Sequence, residues 1–244
     1  MKGSNFLKEI DAVILCGGIG KRLGAITKDI PKPMVMIGNR SFLEILIEYI
    51  SSFGFRRFVL CAGYKKEVIE DYFRAHKSDV AIVFSKEDEG RLLGTGGAIK
   101  NAESFIKSDT FLVMNGDSFL SIDFGKFLDF HNKKKAVVSI ALTKSAKRDD
   151  IGLVRVGEKG EIIAFSEKDS IGDEAYMNAG VYAFDSRVFR RIPPGRLFSI
   201  EYDLFPSMAG KGIYGYIVDS EVLDIGTSER LKKAEAFFTG VHKR

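Results

Sequence analysis

Five apolar residues, Ala12-Val13-Ile14-Leu15-Cys16, run straight into Gly17-Gly18-Ile19-Gly20. A short apolar run that ends in glycines reads as a buried strand feeding a tight turn. Lys21 and Arg22 follow at once, and Lys32 stands between Pro31 and Pro33. Glycines let the backbone approach a phosphate and present N–H groups to it. Arg adds a bidentate fork and Lys a point charge. The stretch from Asp11 to Pro33 therefore reads as a polyphosphate holder. Two familiar glycine motifs fail in it. Gly20-Lys21 is followed by Arg22 where a Walker loop needs Ser or Thr. Leu23 occupies the last glycine position of a dinucleotide fingerprint.

The 244 residues suit one large α/β domain, and 45% hydrophobic with 29% charged residues is ordinary for a globular protein. The longest apolar runs fall well short of a membrane span, and the opening MKGSNFLKEI lacks the apolar core of a signal peptide. The expectation is a cytoplasmic protein. Cys16 and Cys61 sit inside apolar runs and read as small core residues. His76, His131 and His242 are assigned no catalytic work. The net charge of +4 is mild, and no basic stripe interleaved with aromatics points to nucleic acid.

Along the chain, Ser41 to Phe53 has helical spacing, with Ser41 and Glu44 placed for a capping box. Arg57 to Ala62 reads as a strand, Lys65 to Ala75 as a helix, and Val80 to Phe84 as a strand. This alternation predicts a parallel sheet with helices on both faces. The run Gly94-Thr95-Gly96-Gly97 opens the next helix, where absent side chains allow a phosphate or a flat ring to come close. Thr95 is alternatively a plain N-cap. Thr110 to Met114 is a strand that delivers Asn115-Gly116-Asp117, and a carboxylate there stands where doubly wound sheets put their ligands. Such an Asp suits Mg²⁺, which takes few protein ligands and keeps substrate phosphates in its shell.

Phe124 to Asn132 reads as a helix and Ala136 to Leu142 as a strand. Beyond about residue 150 strands follow one another: a hairpin turning at Glu158-Lys159-Gly160, then Met177 to Phe184. This half is expected to be α+β and to close over the first. Three groups in it are candidates for chemistry: Glu167-Lys168, Asn178-Ala179-Gly180, and Asp224 in Val222-Leu223-Asp224-Ile225-Gly226-Thr227. Each alone also reads as ordinary structure.

Taken in order, Gly17-Gly18-x-Gly20-x-Arg22, Pro31-Lys32-Pro33, Phe42-Leu43-Glu44, Gly94-Thr95-Gly96-Gly97, Asn115-Gly116-Asp117, Glu167-Lys168, Asn178-x-Gly180 and Asp224-Ile225-Gly226-Thr227 resemble the signature of the sugar-phosphate nucleotidylyltransferases. The resemblance covers almost the whole chain. It implies an α/β fold, Rossmann-like (GT-A-like), with a mostly parallel mixed sheet flanked by helices and a smaller α+β sugar-binding part. The expectation is a single domain, 1–244, with a nucleotide-binding portion of about 1–145 and a sugar-phosphate-binding portion of about 146–244. Arg22, Lys32 and Asp117 would be catalytic. Leu15, Gly17, Gly18, Gly20, Arg22, Lys32, Glu87, Glu89, Gly94 and Thr95 would bind the nucleotide. Asn115, Gly116, Glu167, Lys168, Asn178 and Gly180 would bind the sugar phosphate. Asp117 and Asp224 would hold Mg²⁺. Asp169 departs from the family, which often has Pro after Glu-Lys.

This reaction needs no Ser, Cys or His nucleophile. The sugar-phosphate oxygen is already an anion, so the barrier is alignment and charge repulsion. Guanine offers two donors that one carboxylate can accept together, and Glu87-Asp88-Glu89 precedes the second glycine run. Uracil and thymine suit an amide better, and the chain contains no Gln. GTP is therefore favoured as the nucleotide. Within the family the short chain is most similar to the D-glycero-D-manno-heptose 1-phosphate guanylyltransferases, which serve surface polysaccharides. Mannose 1-phosphate guanylyltransferases and glucose 1-phosphate uridylyl-, thymidylyl- or cytidylyltransferases are close rivals. A nucleotide-sensing regulatory subunit is the non-enzyme alternative. The expected partners are an NTP and a sugar 1-phosphate, with no nucleic acid and no membrane, and a homodimer is left open. Arg22 and Lys32 are both expected in loops, where losing either costs little stability.

Overall fold

The computed structural model describes residues 6–18, 20–76, 78–88, 90, 92–144, 153–166 and 175–241. The first strand, β1 (Asp11–Leu15), leads through the glycine turn to a kinked 3-10 segment (Lys21–Thr27) and a short 3-10 turn (Lys32–Met34). A small ladder of β2 (Met36–Ile37) and β3 (Arg40–Ser41) follows. Then come α1 (Phe42–Ser52), β4 (Arg57–Ala62), α2 (Lys66–Ala75), β5 (Ala81–Lys86), α3 (Gly94–Asn101) and β6 (Thr110–Asn115). After these run β7 (Ser118–Leu120), α4 (Phe124–Lys134), β8 (Val138–Lys144), β9 (Leu153–Val156), β10 (Ile162–Ser166) and β11 (Tyr176–Asp185). A π turn (Ile200–Leu204) enters α5 (Phe205–Met208), and the chain proceeds through β12 (Ile213–Ile217), β13 (Val222–Asp224) and α6 (Ser228–Val241). No helix among the described residues is long and apolar enough to cross a membrane.

Nine strands form one mixed sheet. Strands β6, β1, β4 and β5 lie side by side and parallel, as the alternation of strand and helix predicts. The chain steps outward from β1 to β4 and β5, then returns to the other side of β1 with β6. That reversal is a topological switch point, and the crevice beyond the strand ends there is the usual ligand position.

The second half does not close over the first. Instead β11 joins the same sheet, antiparallel to β6 on one side and to β8 on the other. The reason is burial: residues 177 and 179–184 of β11 are all buried and need cover on both faces. A bulge interrupts β11 between Asn178 and Tyr182. Before it, Tyr176 and Met177 pair with β9; after it, Val181 to Asp185 pair with β6. The edge is thus released where Asn115 leaves β6.

Alternate residues of β1 feed two cores. Ala12 and Ile14 pack on one face and Val13 on the other. Cys16 and Cys61 fall in opposite cores, both as free thiols. On one face Tyr49, Phe53, Phe119 and Phe124 stack edge-on or tilted, and the Tyr49 hydroxyl is satisfied by both the N–H and the carbonyl of Ile122. The capping box of α1 is modified. Ser41 Oγ accepts from Glu44 N at 3.1 Å, but the return bond is relayed: Ser41 N donates to Tyr72 Oη, which donates to Glu44 Oε2 at 2.6 Å.

Two buried polar groups tie the ends of the sheet. Asp11, 2% exposed, pairs with Arg57 and accepts from Lys107 N at 2.5 Å and Ser108 N at 3.0 Å. His131 on α4 shares a hydrogen bond with Ser139 Oγ at 2.9 Å, and burial pushes its pKa down to about 4. Asp11→Ala strands these donors and should cost about 3 kcal/mol, read from urea unfolding midpoints. His131 is neutral in the fold but titrates near 6.5 when unfolded. Its stabilising contribution is complete above that value and should disappear as pH falls towards about 4. His131→Gln should flatten the unfolding-versus-pH curve in that window.

Candidate active site

A cavity of about 510 Å³ opens beyond the C-terminal ends of β1 and β6. Leu15, Gly17, Gly18, Gly20, Lys32, Glu87, Gly94 and Thr95 all line it, so most of the expected nucleotide-binding residues share one wall. The glycines differ in kind. Gly20 sits at φ +69°, and a Cβ there would meet Lys32 Cβ at 3.0 Å. A side chain on Gly18 would meet nothing within 4 Å, so the space beside it is open to a ligand.

Glu87 is a nearly buried part of the cavity lining. Its Oε2 accepts from Leu93 N at 3.1 Å, and it is 7% exposed. Burial raises its pKa, opposed by the Leu93 N–H. Cys61 also faces the cavity, but burial and the Glu87 charge push its thiol up to about 12, which leaves it unreactive at neutral pH.

The second glycine run has a use that its sequence does not disclose. Gly96 N and Gly97 N donate to Phe198 O at 2.9 and 3.0 Å, and Phe198 N donates to Leu93 O at 2.9 Å. A Cβ on Gly97 would lie 2.8 Å from Arg196 O, and one on Gly94 2.8 Å from Phe198 O. The glycine face of α3 therefore receives the chain at 196–198, which brings Leu197 to the cavity rim. Thr95 does not cap α3. Its hydroxyl donates to Glu201 Oε2 at 2.7 Å and accepts from Ile200 N at 2.9 Å, clasping the same segment.

A smaller hollow of about 150 Å³ adjoins the first. Arg22, Asn178, Gly180 and Asp224 line it, and Lys32, Asn115 and Asp117 line both hollows. Arg22 thus faces the smaller hollow and not the larger. Gly180 is at φ +73°, and a Cβ there would lie 2.9 Å from Asn115 Nδ2. Asn178 Oδ1 accepts from Gly180 N at 3.0 Å, while its Nδ2 donates to the buried Tyr182 hydroxyl at 3.1 Å. Asn115 Oδ1 is buried and accepts no hydrogen bond from the described residues. A buried acceptor in that state beside a cavity leaves room for a donor from a ligand. Gly116 lines neither hollow. Its N–H donates to Leu15 O at 3.0 Å, and a Cβ would meet that oxygen at 2.8 Å, so glycine here lets β1 and β6 meet.

Lys32 is not an exposed loop cation. It is 8% exposed, and its Nζ pairs with Asp117 Oδ2 at 2.5 Å. Losing it would leave Asp117 without that cation. Asp117 and Asp224 come from distant stretches of the chain but are set side by side. β13 pairs with β7 so that Asp224 faces Ser118, and Ile225 N donates to Asp117 O at 3.1 Å. Two hard carboxylates beside a phosphate-sized hollow fit a divalent cation that completes its shell with substrate oxygens and water. Arg230, in the first turn of α6, belongs to none of the sequence motifs. It lines the smaller hollow and reaches Asp224 Oδ1 at 3.4 Å. A cation in a first helical turn opposes the helix dipole, and that was the signal available in Ser228-Glu229-Arg230. Glu89, Glu167 and Lys168 lie outside the described residues.

The fold and this double cavity define a nucleotide-transferring enzyme, and the chain belongs to the nucleotidyl transferase family, whose profile matches residues 11–240. It is 35% identical to D-glycero-alpha-D-manno-heptose 1-phosphate guanylyltransferase of Aneurinibacillus thermoaerophilus, over 93% of this chain and 97% of that protein. The Campylobacter jejuni protein of the same name is 37% identical, over 90% of this chain and 96% of its own length. Mannose-1-phosphate guanylyltransferase of Mycobacterium tuberculosis is 35% identical over 93% of this chain, which spans only 64% of that longer protein. The crystal structure of HddC from Yersinia pseudotuberculosis complexed with GMP-PN matches with a TM-score of 0.81 and 31% identity, over 94% of this chain and 99% of that one.

The two kinds of glycine should separate on substitution. Gly97→Ala meets backbone and should cost about 2 kcal/mol, with faster proteolysis between 194 and 200. Gly18→Ala enters open space and should stay within about 0.5 kcal/mol of wild type in urea unfolding.

Proposed function

We propose that the protein is a sugar-1-phosphate guanylyltransferase. It transfers GMP from GTP to D-glycero-α-D-manno-heptose 1-phosphate, releasing pyrophosphate and a GDP-heptose for surface polysaccharide. The observation that carries this reading is the meeting of the two hollows at Lys32, Asn115 and Asp117. A triphosphate in the larger and a sugar phosphate in the smaller bring their reacting atoms to that junction. Residues 1–145 contribute the nucleotide wall apart from Leu197, and residues 146–244 contribute Asn178, Gly180, Asp224 and Arg230 to the other.

Guanine fits against Glu87, whose carboxylate can accept the N1–H and N2 amino donors together. Gly17, Gly18 and Gly20 leave room for the phosphates. Lys32 at the junction, and Arg22 reaching it from the smaller hollow, neutralise charge on the α-phosphate, and Asn115 Oδ1 takes a sugar hydroxyl. Asn178 and Gly180, with Glu167 and Lys168, complete the sugar-phosphate side in this reading. The sugar-phosphate oxygen forms its bond to the α-phosphorus as the bond to pyrophosphate breaks in line. The fixed cations stabilise the charge that develops. Asp117 and Asp224 would hold Mg²⁺, which would supply Lewis-acid polarisation at the α-phosphate. In this reading the enzyme works in the cytoplasm.

The test is pyrophosphate release with Mg²⁺, pairing GTP, ATP, CTP, UTP and dTTP with heptose, mannose and glucose 1-phosphates. GTP with the heptose phosphate should give the highest kcat/KM. Turnover of UTP or dTTP well above GTP removes the guanylyl reading, and mannose 1-phosphate as the best acceptor replaces the sugar. Glu87→Gln should lower the GTP-to-UTP preference at least tenfold, about 1.4 kcal/mol.

A further inference from the structure

We propose that Arg230 is a binding residue that changes partners: with Lys32 it holds the two carboxylates until metal and substrates arrive together, then passes to the phosphate of the sugar 1-phosphate. This rests on the assignment of Asp117 and Asp224 to the metal. The observations are four. Lys32 Nζ lies 2.5 Å from Asp117 Oδ2 and Arg230 Nη1 3.4 Å from Asp224 Oδ1. Asp224 Oδ1 is also anchored by Gly226 N at 2.8 Å. Gly226 has no left-handed φ to explain it, yet a Cβ there would lie 2.7 Å from Asp224 Oδ1, 3.5 Å from Arg230 Nη1 and 3.6 Å from Lys32 Nζ. The two cations therefore reach Gly226 from separate elements, and its missing Cβ makes room for the Asp224 carboxylate between them. Finally, Arg22 and Arg230 line the same small hollow, so a phosphate placed there meets guanidinium groups from both ends of the chain.

Charge dictates the rest. A divalent cation entering alone must displace Lys32 and Arg230 from their carboxylates and leave both beside its own charge. A phosphate entering alone meets Asp117 and Asp224. When they enter together the carboxylates pass to the metal and the cations to the phosphates, so each charge keeps an opposite partner throughout. The site is thereby weak for either component and strong for the set.

The experiment measures Mn²⁺ binding to the folded, nucleotide-free full chain by the loss of the free-ion electron paramagnetic resonance signal. Arg230→Met should tighten Mn²⁺ binding at least fivefold, while raising the KM for the accepted sugar 1-phosphate at least tenfold and leaving the KM for GTP within twofold. Arg230→Gln, which keeps polarity and most of the length, should do the same if the Met variant folds poorly. An unchanged or weaker Mn²⁺ affinity in a folded Arg230 variant overturns the partner change. So does a sugar-phosphate KM that stays put. Adding Asp224→Asn to the Arg230 variant separates the two assumptions. If Mn²⁺ binding then falls, the carboxylate is the metal ligand and the first result bears on Arg230 alone. If Mn²⁺ binding is indifferent to Asp224, the metal assignment itself is what fails.

Discussion

Two carboxylates, one at the seam of two cavities and one in the smaller of them, set the terms for the rest of this site. Asp117 stands on the turn after β6 and Asp224 at the end of β13, and each is met by a cation, Lys32 and Arg230. The Asp117 side chain is 37% exposed and that of Asp224 15%, and each keeps a cation within reach. The partners come from the loop after β1 and from the first turn of α6. The site is therefore closed by electrostatics across three stretches of chain distant in sequence, around 32, 117 and 224–230. The ion pair of Lys32 with Asp117 is also the wall common to both cavities, so one interaction fixes the geometry of each.

Topology explains why there are two cavities. The parallel strands β1 and β6 separate the outward and returning halves of the sheet, and their ends open the larger one. The smaller exists because β11 breaks step. Its bulge at Asn178 to Gly180 releases one neighbour and takes up another. Asn115 and Asn178 both line that gap, the amide of Asn178 being held by Gly180 N and the Tyr182 hydroxyl. Bulges beside functional sites re-aim side chains in this way. Gly180 is required twice over, by its positive φ and by the nearness of Asn115.

Much of this was legible in the residues. The apolar run before Gly17, the helix after Ser41 and the strand before Asn115 are local patterns, and each forms as its periodicity requires. The grouping of Leu15, the first glycines, Lys32 and Glu87 in one wall followed from strand ends meeting at a switch point. What misled was a role read from a motif without its tertiary neighbours. Gly96 and Gly97 look like ligand glycines but hold the Phe198 backbone, and Gly116 sits in a motif yet serves strand packing. Lys32 looks like a loop cation but is buried. None of these uses has a local signature, because the partner in each case lies far along the chain.

The sequence by itself determined which segments would be strands and helices, where glycine would free the backbone, and which charged residues were available. These follow from short-range sterics and periodicity. Only the tertiary structure decided which charges would meet. It brought Arg230 to Asp224 and Lys32 to Asp117, clasped 196–201 onto α3 through Thr95, and turned β11 into the shared sheet rather than a lid. Those choices depend on burying both faces of the sheet at once. That requirement is satisfied by the whole chain together and is written in no single stretch of it.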